Sequence, residues 1–109
     1  LISAYTELSK QPGSQQELEQ AFKDWKNPIA DLDLPSAPEE AVHVYDDPFH
    51  PQPRLDAMRD GGMQLGVGKL TLNDRGDVTF VAMAHNTLRG AAGGAVLNAE
   101  LLVKQGYLK

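Results

Sequence analysis

Residues 85–94 read His-Asn-Thr-Leu-Arg-Gly-Ala-Ala-Gly-Gly, a run of polar and small side chains lying between a β-branched stretch and an apolar one. At a strand-to-helix junction of this kind the first amides of the helix have no partner in the chain, and they can bind a negative charge or a carboxamide. Glycine inside a helix costs roughly 1 kcal/mol relative to alanine, so Gly90, Gly93 and Gly94 in two turns need compensation. Either the helix packs with its backbone close to another element, or its amino end approaches a ligand. Spacing alone favours packing over the ligand. His85, at the mouth of the junction, either donates a proton or is held by the backbone of its neighbours, and the second is the commoner fate of such a histidine.

Other groups of side chains invite chemistry and have simpler explanations. His43, Asp46, Asp47 and His50 offer nitrogen and oxygen ligands within eight residues, but three of the four fall in a proline-broken loop, and we read no metal site there. Glu39-Glu40 and Asp46-Asp47 are of the type used as acid and base, yet adjacent carboxylates in a loop form a solvated face. Arg54 in Pro51-Gln52-Pro53-Arg54 either clamps a carboxylate or phosphate with its two-pronged guanidinium or pairs with Asp56. Phe22, Trp25 and Phe80 are read as core.

Composition narrows the class. The chain has 109 residues, enough for one modest domain and too few for two. A net charge of -5 with no basic run argues against a nucleic-acid partner. With no cysteine there is no disulfide framework, thiolate metal site or cysteine nucleophile. No apolar stretch reaches the roughly 18 residues of a membrane span. The chain opens Leu1-Ile2-Ser3 directly in a strand-like pattern, without a signal peptide, and reads as cut from something longer.

The elements that must position these residues follow from periodicity. Leu1–Leu8 alternates as a strand, and Pro12-Gly13 turns the chain. Ser14 and Glu17 have the spacing of a capping box, and Leu18, Ala21, Phe22 and Trp25 share one face of a helix of about three turns that Asn27-Pro28 stops. A proline-punctuated connector leads to a short strand at Ala41–Tyr45, and a second, from Pro48 to Gly61-Gly62, is too proline-rich for a helix. Met63–Leu72 alternates as a long strand in which Gly66 and Gly68 mark a bulge or the close approach of another backbone. Residues 73–76 turn it into the strand 77–84 as an antiparallel hairpin. Asn86 or Thr87 then caps a helix from about Leu88 to Gln105, ended by Gly106. The predicted fold class is α+β: a mostly antiparallel sheet with an amphipathic helix and a C-terminal helix.

Four segments in order resemble one family. Leu32–Pro38 (LDLPSAP), Pro51–Asp56 (PQPRLD), Gly61-Gly62-Met63 with Val67-Gly68-Lys69, and Phe80–Gly93 (FVAMAHNTLRGAAG) are similar to the carboxy-terminal third of aspartate-semialdehyde dehydrogenase of the archaeal and fungal type. The related malonyl-CoA and succinyl-CoA reductases share the architecture. The resemblance implies a cytoplasmic two-domain enzyme whose Rossmann domain binds NADP and whose second domain carries catalysis and dimerisation. It implies reductive dephosphorylation of aspartyl-4-phosphate through a cysteine thioester, with a histidine as acid/base and an arginine on the substrate carboxylate. All three of those residues would lie before Leu1, so no catalytic residue is expected in this chain and the chain alone is expected to be inactive.

Over 1–109 the resemblance implies the last part of the catalytic and dimerisation domain. The helix at 86–106 would pack back on a Rossmann domain not included in these residues. Its start would face the nicotinamide, with Asn86 bonding the carboxamide, Thr87 capping and Gly90 making room, while Arg89 supports the fold. The strand from Met63 to Leu72 would belong to the sheet of the dimer interface in a homo-oligomer. The competing reading is an oligomerisation module with no chemistry of its own.

Overall fold

A computed structural model describes all 109 residues. Four strands form one sheet: β1 (Ile2–Thr6), β2 (Val42–Val44), β3 (Leu65–Leu72) and β4 (Val78–Met83), in the order β1-β4-β3-β2. β1 pairs antiparallel with β4, and β3 antiparallel with β4, but β2 runs parallel to β3. A parallel neighbour needs a long crossover, and residues 45–64 supply it.

That crossover departs from expectation. It contains one α-helical turn, α2 (Pro53–Asp56), and a 3₁₀ turn at Arg59–Gly62. Pro53 sits at the first helical position, where its missing N–H is no loss, so a proline-rich segment starts a helix here instead of preventing one. The crossover also lies flat on β3. A Cβ on Gly66 would sit 2.9 Å from the Tyr45 ring, and one on Gly68 would collide with the His50 carbonyl oxygen. The bulge and the close approach, set out above as alternatives, both occur. Lys69 takes a φ of 54° and the β3–β4 register shifts between Gly68 and Thr71. The side chain of Gln15 bridges the shifted stretch, donating from Nε2 to the Leu70 carbonyl at 2.7 Å and accepting the Leu72 N–H on Oε1 at 2.8 Å.

Helix α1 (Gln15–Lys23) lies over the sheet. Ser14 Oγ accepts the Glu17 N–H at 3.1 Å, as a cap should. The reciprocal half of the capping box goes elsewhere: Glu17 Oε2 accepts the N–H of Gly13, not that of Ser14, at 2.7 Å. Leu18 packs with Leu70 and Val78, flanked by Phe22, Leu72 and Phe80. The helix ends at Lys23, short of the expected three turns and ahead of Asn27-Pro28. Trp25 therefore lies beyond the helix and is half exposed, which corrects its assignment to the core.

A second apolar cluster joins the connector to the last helix, α3 (Gly93–Lys104): Leu34, Met63 and Leu97, with Ile29, Leu32, Ala37 and Leu101 against them. Glu100 fastens the same contact by accepting the Ser36 N–H at 2.9 Å and its hydroxyl at 2.7 Å. Gly106, at φ 81°, closes α3: its N–H goes to the Val103 carbonyl and that of Tyr107 to Leu102, the two bonds of a Schellman end.

Candidate functional site

The expected junction is present and is built differently from expectation. Between β4 and α3 lies a single π-helical segment, Leu88–Ala92. The Gly90 N–H reaches the His85 carbonyl at 3.0 Å, that of Ala92 reaches Thr87 at 2.9 Å, and that of Gly93 reaches Leu88, each spanning five residues. Such wide turns are rare and concentrate at functional sites.

The glycines now separate. A Cβ on Gly93 would fall 2.5 Å from Met63 Sδ and 2.9 Å from the Leu88 carbonyl oxygen, so this glycine is required by packing and by the widened turn. A Cβ on Gly94 would fall 2.5 Å from the Arg89 carbonyl oxygen, again a demand of the turn. Gly90 differs: the nearest atom to its Cβ position is the His85 carbonyl oxygen at 3.6 Å, an ordinary contact, and the residue is exposed. Neither packing nor conformation demands a glycine there.

The cap is neither Asn86 nor Thr87. The Leu88 N–H donates to His85 Nδ1 at 3.2 Å, and Thr87 Oγ1 lies 3.1 Å from the same nitrogen. Thr87 makes no capping bond of its own. A backbone N–H can only donate, so Nδ1 is the bare nitrogen and Nε2 carries the proton in the neutral ring. Of the two readings of His85, the one in which its neighbours' backbone holds it is correct. Asn86, Thr87 and Gly90 are all exposed on one corner, and Asn86 takes none of the hydrogen bonds that organise it.

A second polar cluster lies on the crossover. Asp56 is buried and accepts His50 Nδ1–H at 2.7 Å and the Gln52 N–H at 2.6 Å on the same oxygen. Burial pushes its carboxyl up, but the Gln52 N–H and His50 together outweigh burial and hold it below the ordinary value. The Tyr45 ring stacks on His50 with centroids 5.2 Å apart, receives His43 edge-on at 4.6 Å and lies beneath the Arg59 guanidinium at 5.6 Å. Burial first, then the Asp56 charge, raise the Tyr45 hydroxyl. Arg54 is exposed and does not pair with Asp56, whose partner is His50. His43 is engaged by Glu40 at 2.7 Å, Asp46 by Lys23 at 2.7 Å and His50 by Asp56 at 2.7 Å, while Asp47 Oδ2 lies 4.0 Å from His50 Nε2.

The relatives of this chain decide its kinship. An aspartate-semialdehyde dehydrogenase of Aspergillus fumigatus is 42% identical over 105 residues, covering 93% of this chain. The namesake enzyme of Archaeoglobus fulgidus is 40% identical over 92 residues, covering 84%. The solved structure of the Candida albicans enzyme with NADP superposes with a TM-score of 0.77 at 35% identity, over 92% of this chain. The chain belongs to the aspartate-semialdehyde dehydrogenase family. It spans only 26–29% of the length of these relatives. No family model matches it. A malonyl-CoA reductase (NADP) of Metallosphaera sedula is 42% identical over 91 residues, so that branch lies within the same range of similarity, as the motifs suggested. No helix is long and apolar enough to cross a membrane.

Proposed function

We propose that this chain is a working part of an NADP-dependent aspartate-semialdehyde dehydrogenase and that its corner at Asn86, Thr87 and Gly90 faces the nicotinamide. The observation that carries the reading is the exposed, unpartnered Asn86 beside a glycine that the fold itself does not require, in a chain whose solved relative binds NADP. These residues fit the group. A carboxamide side chain with no partner in the chain can pair with the carboxamide of the cofactor, Gly90 leaves room for a close approach, and the start of the helical segment offers amide N–H groups. When bound, NADPH would supply the hydride that reduces the acyl group to the aldehyde after a thiol nucleophile has displaced phosphate.

Within that reaction the residues of this chain bind and orient. There is no cysteine among its 109 residues, so the thiol nucleophile is not supplied from here, and the isolated chain is inactive. The apolar face of α3 that includes Val96 and Val103, both about half exposed, with Tyr107 just beyond, is the surface that meets the nucleotide-binding domain. The sheet containing β3 serves association of copies, and the compartment is the cytoplasm. The similarity to the Metallosphaera enzyme supports a second reading, reduction of an acyl-CoA thioester by the same corner.

The test is phosphate-dependent reduction of NADP with aspartate semialdehyde by the complete polypeptide that carries this chain, beside the 109-residue chain alone. Turnover by the first and none by the second is expected. If the complete polypeptide instead oxidises NADPH with malonyl-CoA and ignores the semialdehyde, the second reading replaces the first.

A further inference from the structure

We infer that His85 is a positioning residue of this corner, acting through the backbone turn and not by touching the cofactor; the inference rests on the cofactor-facing reading above. One residue holds two bonds of the turn. The His85 carbonyl takes the Gly90 N–H at 3.0 Å, and its Nδ1 takes the Leu88 N–H at 3.2 Å with the Thr87 hydroxyl at 3.1 Å. The first bond sets the five-residue span, and the second satisfies an amide at the start of the helical segment that would otherwise be an orphan.

Between those two anchors the Asn86 carboxamide takes no hydrogen bond within the chain. The far end of the segment is immobilised independently, because Gly93 lies against Met63 and a Cβ on Gly62 would meet Leu88 Cδ1 at 2.5 Å. The backbone from 86 to 90 is thus fixed at one end by packing and at the other by the imidazole. An asparagine or serine at position 86 would be the ordinary cap; using the preceding histidine instead releases the Asn86 carboxamide from capping duty and leaves it for an external partner. A bare Nδ1 is essential to this arrangement, so the role belongs to an acceptor at that position of the side chain and not to imidazole as such.

The experiment compares His85→Leu, His85→Asn, His85→Gln and Asn86→Ala in the complete polypeptide, by NADPH fluorescence titration, steady-state kinetics and thermal melting. Asparagine carries an acceptor close to the place of Nδ1, whereas glutamine carries its own nearer the place of Nε2. His85→Leu and His85→Gln are expected to raise the Kd and KM for NADPH about tenfold, the loss of one organising hydrogen bond, with His85→Asn restored to within about twofold of wild type. A purely structural histidine would lower the melting temperature and the fraction of active protein while the folded fraction bound NADPH normally; that result overturns the proposal. Equal behaviour of the Asn and Gln variants overturns it as well, and that pair decides the matter even where the Leu variant does not fold. Weakened binding in Asn86→Ala beside normal binding in the His85 variants removes the role of His85 and leaves the cofactor-facing reading standing. Normal NADPH binding in Asn86→Ala removes that reading and this one with it.

Discussion

Asp56 is a buried carboxylate with two donors on one oxygen. A hydrogen bond to a buried charged group contributes more than a neutral one, so Asp56→Asn should cost about 2 kcal/mol at pH 7, read from urea unfolding. The pH dependence follows from its depressed pKa. The group contributes fully above its unfolded value near 4 and loses that contribution as pH falls through the lower folded value. The acid limb of the stability profile should therefore flatten in the Asn variant, with the two proteins converging at the acid end. Little of this was legible in the sequence. Pro51–Asp56 stands out as a motif, but whether Asp56 meets Arg54 or His50 depends on how the segment folds back. A single α-helical turn begun by Pro53 leaves Arg54 exposed in solvent and brings Asp56 under His50. The capping histidine was hidden because Asn86 and Thr87 are the better caps by residue type, whereas the Leu88 N–H goes to His85 Nδ1.

At the scale of elements the glycines give contrasting predictions from near-identical sequence contexts. Gly68→Ala would drive a Cβ into the backbone of His50 and the ring of Pro51, and overpacking against backbone has no soft way out. It should cost about 3 kcal/mol, against about 1 kcal/mol for Gly61→Ala, where the backbone is left-handed but no atom lies within 4 Å. In the last helical region Gly93→Ala should cost about 2 kcal/mol by displacing Met63. Gly90→Ala should stabilise by up to about 1 kcal/mol through helix propensity, while weakening NADPH binding in the complete polypeptide. Thermal melts and NADPH titrations on the four alanine variants check these signs; a Gly90→Ala protein that is less stable, or that binds NADPH as before, contradicts the division between packing and ligand-facing glycines. The strands and the β3–β4 hairpin were readable from their alternation, and the last helix from its polar start and the glycine that ends it. The parallel pairing of β2 was not, because a three-residue strand of apolar and aromatic type carries no direction in its sequence.

For the whole molecule, shape and core agree on incompleteness of burial. The radius of gyration is 15.5 Å over a body of 51 × 32 × 18 Å, whereas a compact globule of this length has about 13 Å. Only 17 of 109 residues are buried, and the two apolar clusters hold three buried residues each and share none. At the same time Ile2, Tyr5, Val96, Val103 and Tyr107 are more than half exposed, and β1 is an edge strand whose outer side has no partner. Between α1 and the sheet a groove of about 400 Å³ is lined entirely by apolar side chains, among them Phe22, Trp25, Val42 and Phe80. Unsatisfied strand edges and contiguous apolar surface are both routes to association. The 109-residue chain in isolation should therefore bind a hydrophobic dye and show a weight-average mass that rises with concentration in sedimentation equilibrium. A charged residue on the outward edge, Tyr5→Lys, should reduce self-association more than Val103→Lys if the edge dominates, and less if the helix face does. A dye-silent monomer at every concentration would mean that these surfaces are satisfied within the chain itself, and would count against the proposal that α3 meets a nucleotide-binding domain through its exposed side.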